Sequence, residues 1–235
     1  MSVRVQNLRH TYTAAGLEPR TVLQVDHWML GEEQQALLRG ISGSGKTTLM
    51  NIVAGLLRPT AGDVWLDDQS LFALPEAARD RFRTQHIGYV FQTHHLLSML
   101  SARENVEMPM AFAKTLAARQ RRTRAMELLA AVDLEQFANY HPHQLSTGQQ
   151  LRVAVARAVA NKPRVVLADE PTAALDQAAG HSVLDLLQHT CREHGSALLV
   201  ASHDPALAAR FDQVWDLRDG QLVEARRWEL VEQTA

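Results

Sequence analysis

Apolar and polar positions change rhythm twice along this chain. The first third shows short alternating stretches separated by polar turns, the pattern of β-strands. Ala36-Leu37-Leu38-Arg39 reads as a short strand running into a glycine-rich turn. Beyond the turn, Leu49, Ile52, Val53, Leu56 and Leu57 share one helical face, and Pro59 and Gly62 stop that helix. Val64-Trp65-Leu66 and the stretch from Ile87 to Phe91 read as further strands. From about residue 93 to 160 the pattern is mostly helical. Ser101 and Glu104 fit a capping box that opens a helix, Pro109 ends or kinks it, and Lys114 to Val132 supplies a second helix. The last third returns to α/β. Val165-Val166-Leu167-Ala168 has the unbroken apolar character of a buried parallel strand, Ala197 to Ala201 is another strand, and Asp219-Gly220 is a hairpin turn. No repeat and no low-complexity linker interrupts this order, which predicts two subdomains in one folding unit: a β-rich core flanking a helical block.

Composition narrows the function classes. With 46% apolar residues in 235, a sizeable core is expected. Lys plus Arg is 24 against 26 for Asp plus Glu, so net charge gives no reason to expect nucleic-acid binding. Cys191 is the one cysteine, which precludes an internal disulfide and fits a reduced compartment. The first residues, MSVRVQNLRHTY, hold no apolar segment of a secretory signal, and no apolar run approaches the roughly 18–20 residues that span a bilayer. Work at a membrane therefore requires another chain to cross it.

The chemistry concentrates at two places. Gly40-Ile41-Ser42-Gly43-Ser44-Gly45-Lys46-Thr47 matches the phosphate-binding loop pattern, follows a strand and opens a helix, and Thr48 continues it. The glycines let backbone N–H groups turn inward around phosphate oxygens, Lys46 brings a point charge to the β- and γ-phosphates, and the Thr47 hydroxyl suits Mg²⁺. The helix N-terminus adds a favourable dipole. The second place is Val165 to Glu170, an apolar strand ending in two carboxylates where open α/β sheets bind ligands. Asp169 suits Mg²⁺ held through water, and Glu170 suits polarising an attacking water. A lysine, a metal and a water-orienting carboxylate suffice for phosphoryl transfer from ATP. Leu145-Ser146-Thr147-Gly148-Gln149 is by itself a helix cap, with Ser146 and Gln149 at capping-box spacing.

LSTGQ closely resembles the LSGGQ signature of ABC ATPases, and the rest of that family's set follows in its usual order. Tyr12 resembles the aromatic that stacks on adenine. Gln92, in Tyr89-Val90-Phe91-Gln92, resembles the glutamine that senses Mg²⁺ and reaches the transporter. Ala174-Leu175-Asp176 resembles the D-loop, and His203, in Ala201-Ser202-His203-Asp204, resembles the switch histidine at the γ-phosphate. The resemblance spans Tyr12 to His203 and implies an α/β fold: a P-loop NTPase core with an antiparallel β subdomain and a helical signature subdomain. As one ABC ATPase domain, the core takes about residues 1–92 and 161–235, and the helical part about 93–160. It also implies a homodimer with nucleotide between the P-loop of one subunit and the signature of the other, so that Ser146, Gly148, Gln149 and Asp176 serve the partner's nucleotide. ATP and Mg²⁺ are the implied cofactors, and Lys46, Glu170 and His203 the catalytic set. The signature departs at Thr147, where the family has glycine, and the loop reads GKTT where GKST is commoner; the hydroxyl is kept and Glu170 is intact.

Phe91 to Val106 resembles the ATPases of lipoprotein release, macrolide export and heterocyst glycolipid export (the LolD, MacB and DevA types) and the cell-division ATPase FtsE. EPTAALD is nearer the glycolipid-export type. That resemblance implies an integral membrane permease as partner, a periplasmic adaptor reached through it, and a place on the cytoplasmic face of the membrane. An alternative is a regulatory ATPase that signals through a membrane partner without moving substrate. A single P-loop without linker argues against the tandem translation-factor relatives, and the lack of a coiled-coil insertion against DNA-repair relatives. Lys114, Arg119, Arg121, Arg122 and Arg124 form a basic run, either a solvated helix face or a face for anionic lipid headgroups. His94, Leu96, Leu97, Met99, Leu100, Met108 and Met110 make the segment from Thr93 to Phe112 richly apolar beside Gln92. It is expected to form part of a groove for a permease helix.

Overall fold

In chain order the computed structural model shows β1 (Val3–Tyr12), β2 (Arg20–Leu30), β3 (Gln35–Arg39), α1 (Lys46–Val53), β4 (Ala61–Leu66), β5 (Gln69–Ser70) and α2 (Glu76–His86). There follow β6 (Ile87–Val90), α3 (Ala102–Ala113), α4 (Ala118–Ala131), α5 (Thr147–Ala158), β7 (Val165–Asp169), α6 (Gln177–Glu193), β8 (Ala197–Ser202), β9 (Gln213–Arg218) and β10 (Gln221–Glu224). The structure describes residues 3–13, 16, 18–114, 116–173 and 175–225. They divide into two units, one drawn from residues up to Asp80 and from Ala197 onward, the other from Arg81 to Ser196.

The first unit contains an antiparallel sheet in the order β2-β1-β4-β5. Its strands are longer than the sequence pattern suggests, because β1 carries a bulge. Asn7 takes a left-handed backbone (φ 48), and the register against β4 shifts between Gln6 and Arg9. Val5 and Leu8, three apart, are therefore both buried, and simple alternation is lost inside one continuous strand. The unit also contains parallel strands. β3 pairs with β8 on one side and β9 on the other, and β10 returns against β9 through left-handed Asp219 and Gly220. Every residue of β3 and β8 is buried, as their apolar runs require.

Helix α1 is shorter than its apolar periodicity. Gly55 (φ 69) donates to the Ile52 carbonyl and Leu56 to the Asn51 carbonyl, both at 2.9 Å, which closes a Schellman turn. Leu49, Ile52 and Val53 are buried, whereas Leu56, placed on the same face by the sequence, is exposed.

In the second unit β6 and β7 pair in parallel. Gly88 of β6 lies so close to α5 that an added Cβ would stand 2.3 Å from the Ala158 carbonyl oxygen, which only glycine avoids. Ser101 caps α3 with the expected box. The helix passes through Pro109 and ends at left-handed Lys114 (φ 55). Val106, Met110 and Ala113, on both sides of the proline, are all buried, and this apolar face carries the helix across it. The second helix begins at Ala118, four residues later than its polar pattern suggests. α3 packs against α4 and α5. Of the basic run, Arg121 donates to the Leu116 carbonyl, and Arg124 meets His194 and Glu127, so two of its five charges face the protein.

Candidate functional site

In the first unit the loop between β3 and α1 has the backbone its glycines allow. Gly43 (φ 76) and Gly45 (φ 106) are left-handed, and Gly45 is the residue before the helix. Gly40 has no room for a side chain: an added Cβ would meet Ser44 Oγ at 2.6 Å and the Leu217 carbonyl oxygen at 3.0 Å. Lys46 is buried and folds back over the loop, donating from Nζ to the Gly40 and Ile41 carbonyls at 2.7 and 3.3 Å. Ser44 Oγ is buried without a hydrogen-bond partner. Such a group is costly to leave unsatisfied and suits an incoming oxygen ligand. Ile41, Ser42, Gly43 and Thr47 are exposed, and Thr48 is partly buried.

Tyr12, at the end of β1, is 49% exposed, and its hydroxyl lies 3.3 Å from Thr48 Oγ1. The structure thus sets an aromatic ring beside the loop. His10 supports it edge-on at 4.6 Å, and burial holds that imidazole below its ordinary pKa. His203 follows β8 directly and is exposed. Because Arg39 pairs in register with Ser202, Gly40 and His203 leave adjacent parallel strands at the same carboxyl edge.

The second unit assembles the acidic part in the same way. Val90 of β6 pairs in register with Ala168 of β7, so Gln92 and the Asp169-Glu170 pair also leave one carboxyl edge. Asp169 is buried; Glu170 is half-buried on a left-handed backbone (φ 48). Burial, and then the nearby Asp169 charge, push the Tyr89 phenol well above its ordinary value. Gln92 is exposed.

Ser146 caps α5. Its Oγ accepts from the Gln149 amide at 3.3 Å, and the Gln149 side chain accepts from the Ser146 amide at 2.9 Å. The cap expected from spacing is present, and Ser146 is still exposed. Among the described residues outside its own helix backbone, a Cβ at Gly148 would meet nothing within 4 Å, and Thr147 is exposed on the first turn. Asp176 is exposed and caps α6 through the Ala179 amide at 2.9 Å, while Ala174 lies outside the described residues.

Two supporting residues carry little sequence signal. Asn105 is wholly buried on α3; its Nδ2, with two hydrogens, lies 3.0–3.1 Å from the Leu97, Leu100 and Ser101 carbonyls, and its Oδ1 accepts from the Leu97 amide, bracing the segment after Gln92. Arg157, buried on α5, binds the His94 and His95 carbonyls. Burial depresses its pKa to about 10, so it stays charged at neutral pH. A charged residue inside the apolar run from Val153 to Val159 is its one hint in the sequence.

Residues 23–173 match the family described as ABC transporter. The chain is 44% identical over 207 residues to the lipoprotein-releasing system ATP-binding protein LolD 1 of Caulobacter vibrioides, covering 88% of each. It is 40% identical over 221 residues to the macrolide export ATP-binding/permease protein MacB of Escherichia coli, covering 94% of this chain and 34% of that longer protein. Among solved structures it resembles the dimeric structure of a bacterial ABC transporter cassette, with a TM-score of 0.87, 38% identity and coverage of 95% and 98%. A dimeric cassette in a post-hydrolysis state bound to ADP and Pi gives the same values. The chain belongs to the ABC transporter family, as an ATP-binding subunit homologous to those of lipoprotein release and macrolide export.

Proposed function

We propose that this chain binds and hydrolyses ATP as a homodimer, to drive a membrane permease of the exporter or mechanotransmission type. The observation that carries the reading is the loop at Gly40–Lys46, with its left-handed glycines, its folded-back lysine and an unsatisfied Ser44 hydroxyl. Tyr12 stacks on the adenine. The loop N–H groups and Lys46 hold the β- and γ-phosphates, with Ile41 to Gly45 and Thr48 wrapping them. Thr47, Asp169 and Gln92 would hold Mg²⁺, which, bound with the phosphates, would supply positive charge against the charge that develops during transfer. Glu170 orients water for attack on the γ-phosphorus, and His203 donates to the γ-phosphate. Ser146, Gly148, Gln149 and Asp176 face the nucleotide of the second copy. The unconstrained surroundings of Gly148 support this, since among the described residues no neighbour outside its own helix backbone lies where a Cβ would need room. The family core and its helical part, about 93–160, work as one ATPase domain on the cytoplasmic face of the membrane. Direct phosphate release tests the reading: the purified chain should hydrolyse ATP with Mg²⁺ and stop on chelation, and a chain that binds no ATP at saturating concentration contradicts it.

The permease contact belongs to the segment after Gln92. Leu97 is 42% exposed, Met99 81% and Phe112 69%, whereas His94 and Met110 are buried core and fall outside any docking surface. Leu96, Leu100 and Met108 are half-buried. Exposed apolar side chains with an adaptable methionine suit an amphipathic helix of the permease, and a periplasmic adaptor is reached through that permease. Met99→Glu with Phe112→Glu should abolish stimulation of ATP hydrolysis by the permease and leave the isolated subunit's rate within about twofold. Undiminished stimulation by the doubly substituted subunit places the contact elsewhere.

A further inference from the structure

The turn after Gln92 is fastened by one side chain from the helix that Ser146 opens. His94 and His95 are both left-handed, with φ of 59° and 46°, a conformation that successive non-glycine residues rarely adopt. Inside the turn the His94 amide donates to the Phe91 carbonyl at 2.9 Å and the His95 amide to the Thr93 carbonyl at 2.7 Å. The His95 ring stacks on Phe91 at 4.6 Å, and Phe91 stacks on Tyr89 at 4.0 Å. The carbonyls of both left-handed residues are taken by Arg157: Nη1 donates to His95 O at 2.6 Å and Nη2 to His94 O at 2.5 Å. Two N–H donors at the fixed spacing of a planar fork are what adjacent carbonyls need, and a lysine ammonium cannot reproduce that geometry. Arg157 sits among buried residues near the end of α5, a continuous helix of 12 residues whose other end is capped by Ser146. Helical hydrogen bonding makes that helix a stiff connection between its ends.

We propose that Arg157 is a positioning residue that ties the Gln92 turn to the signature helix, so that a nucleotide-dependent change at either end is carried to the other. The inference rests on the reading of Gln92 and Ser146 as nucleotide-facing groups given above. Coupling between two sites is reciprocal, so ordering at Ser146 should order the turn, and movement of Gln92 should shift the helix. It also explains why a costly buried cation stands in an otherwise apolar helix face. The fork, and not the charge alone, carries the link.

Amide hydrogen exchange on the full chain tests this, in the Glu170→Gln background so that ATP is not consumed. MgATP should slow exchange across residues 93–97 in the parent. Arg157→Met and Arg157→Lys should still dimerise with MgATP, within about threefold in dissociation constant, yet lose that slowing. In the nucleotide-free monomer, Arg157→Met should speed exchange at 93–97 by roughly tenfold, with α3 and β7 unchanged. Nucleotide-dependent slowing that persists in both variants overturns the proposal. So does faster exchange throughout α3, α5 and β7, which would make Arg157 a residue of the fold alone. If the parent itself fails to dimerise with MgATP, the shared-nucleotide reading falls, and the nucleotide-free comparison still decides the link: unchanged exchange at 93–97 refutes it. Should Arg157→Met not fold, Arg157→Lys carries the same comparisons.

Discussion

Glu170→Gln is expected to slow ATP hydrolysis by a factor of about a hundred or more while leaving ATP binding nearly intact; a hundredfold corresponds to about 2.7 kcal/mol of transition-state stabilisation. Glu170 follows the last residue of a strand fixed in register against β6, and its left-handed backbone (φ 48) turns the chain sharply away from buried Asp169. Glutamine has nearly the same size, so the turn and the strand survive. What is lost is the negative charge proposed to polarise a water. On the same proposal nucleotide affinity rests mainly on the loop around Lys46, which the substitution does not touch. Phosphate release at saturating MgATP, measured beside binding of a fluorescent ATP analogue, separates the two effects. Turnover within twofold of the parent would remove Glu170 from the reacting centre.

How much of this was legible before the structure depends on how local each feature is. The glycine turn before α1 was the most legible part, because several constraints on it are local: Gly43 and Gly45 need positive φ, and Gly40 has Ser44 against it; the approach of the Leu217 carbonyl to Gly40 was not. The capping boxes at Ser101 and Ser146 were legible for the same reason. Apolar periodicity failed where a backbone device overrides it. It carried α1 on to Leu57, since it does not register that Gly55 closes a Schellman turn. It broke β1 into short pieces, since a bulge at Asn7 shifts the buried face by one residue. Pro109 does not end α3, because burial of Val106, Met110 and Ala113 keeps the helix together on both sides of it. Least legible were groups whose partners lie far away in the chain. Arg157 binds carbonyls more than sixty residues upstream, which no spacing rule encodes. The family order of motifs, which spacing does not supply, is the ground for proposing that the helix cap at Ser146 faces a second copy.

A second large effect follows from that reading. If each nucleotide is held by the loop of one copy and the signature of the other, ATP binds the dimer more tightly than the separated chains, whose own loop still takes it. A hundredfold tighter hold contributes about 2.7 kcal/mol per site at saturation, and two sites about 5 kcal/mol, a shift of roughly 10⁴ in the dimer equilibrium. Hydrolysis would dissipate the effect in the parent chain, which is why Glu170→Gln is the form to use. Ser146→Arg should abolish the shift, because it sets a bulky cation where the partner's phosphates must approach while leaving that chain's own phosphate loop unchanged. Light scattering of the Glu170→Gln chain at tens of micromolar protein is therefore the most direct test of the central claim. The account predicts a monomer without nucleotide and a dimer with saturating MgATP, and a chain that stays monomeric with ATP demonstrably bound would contradict it.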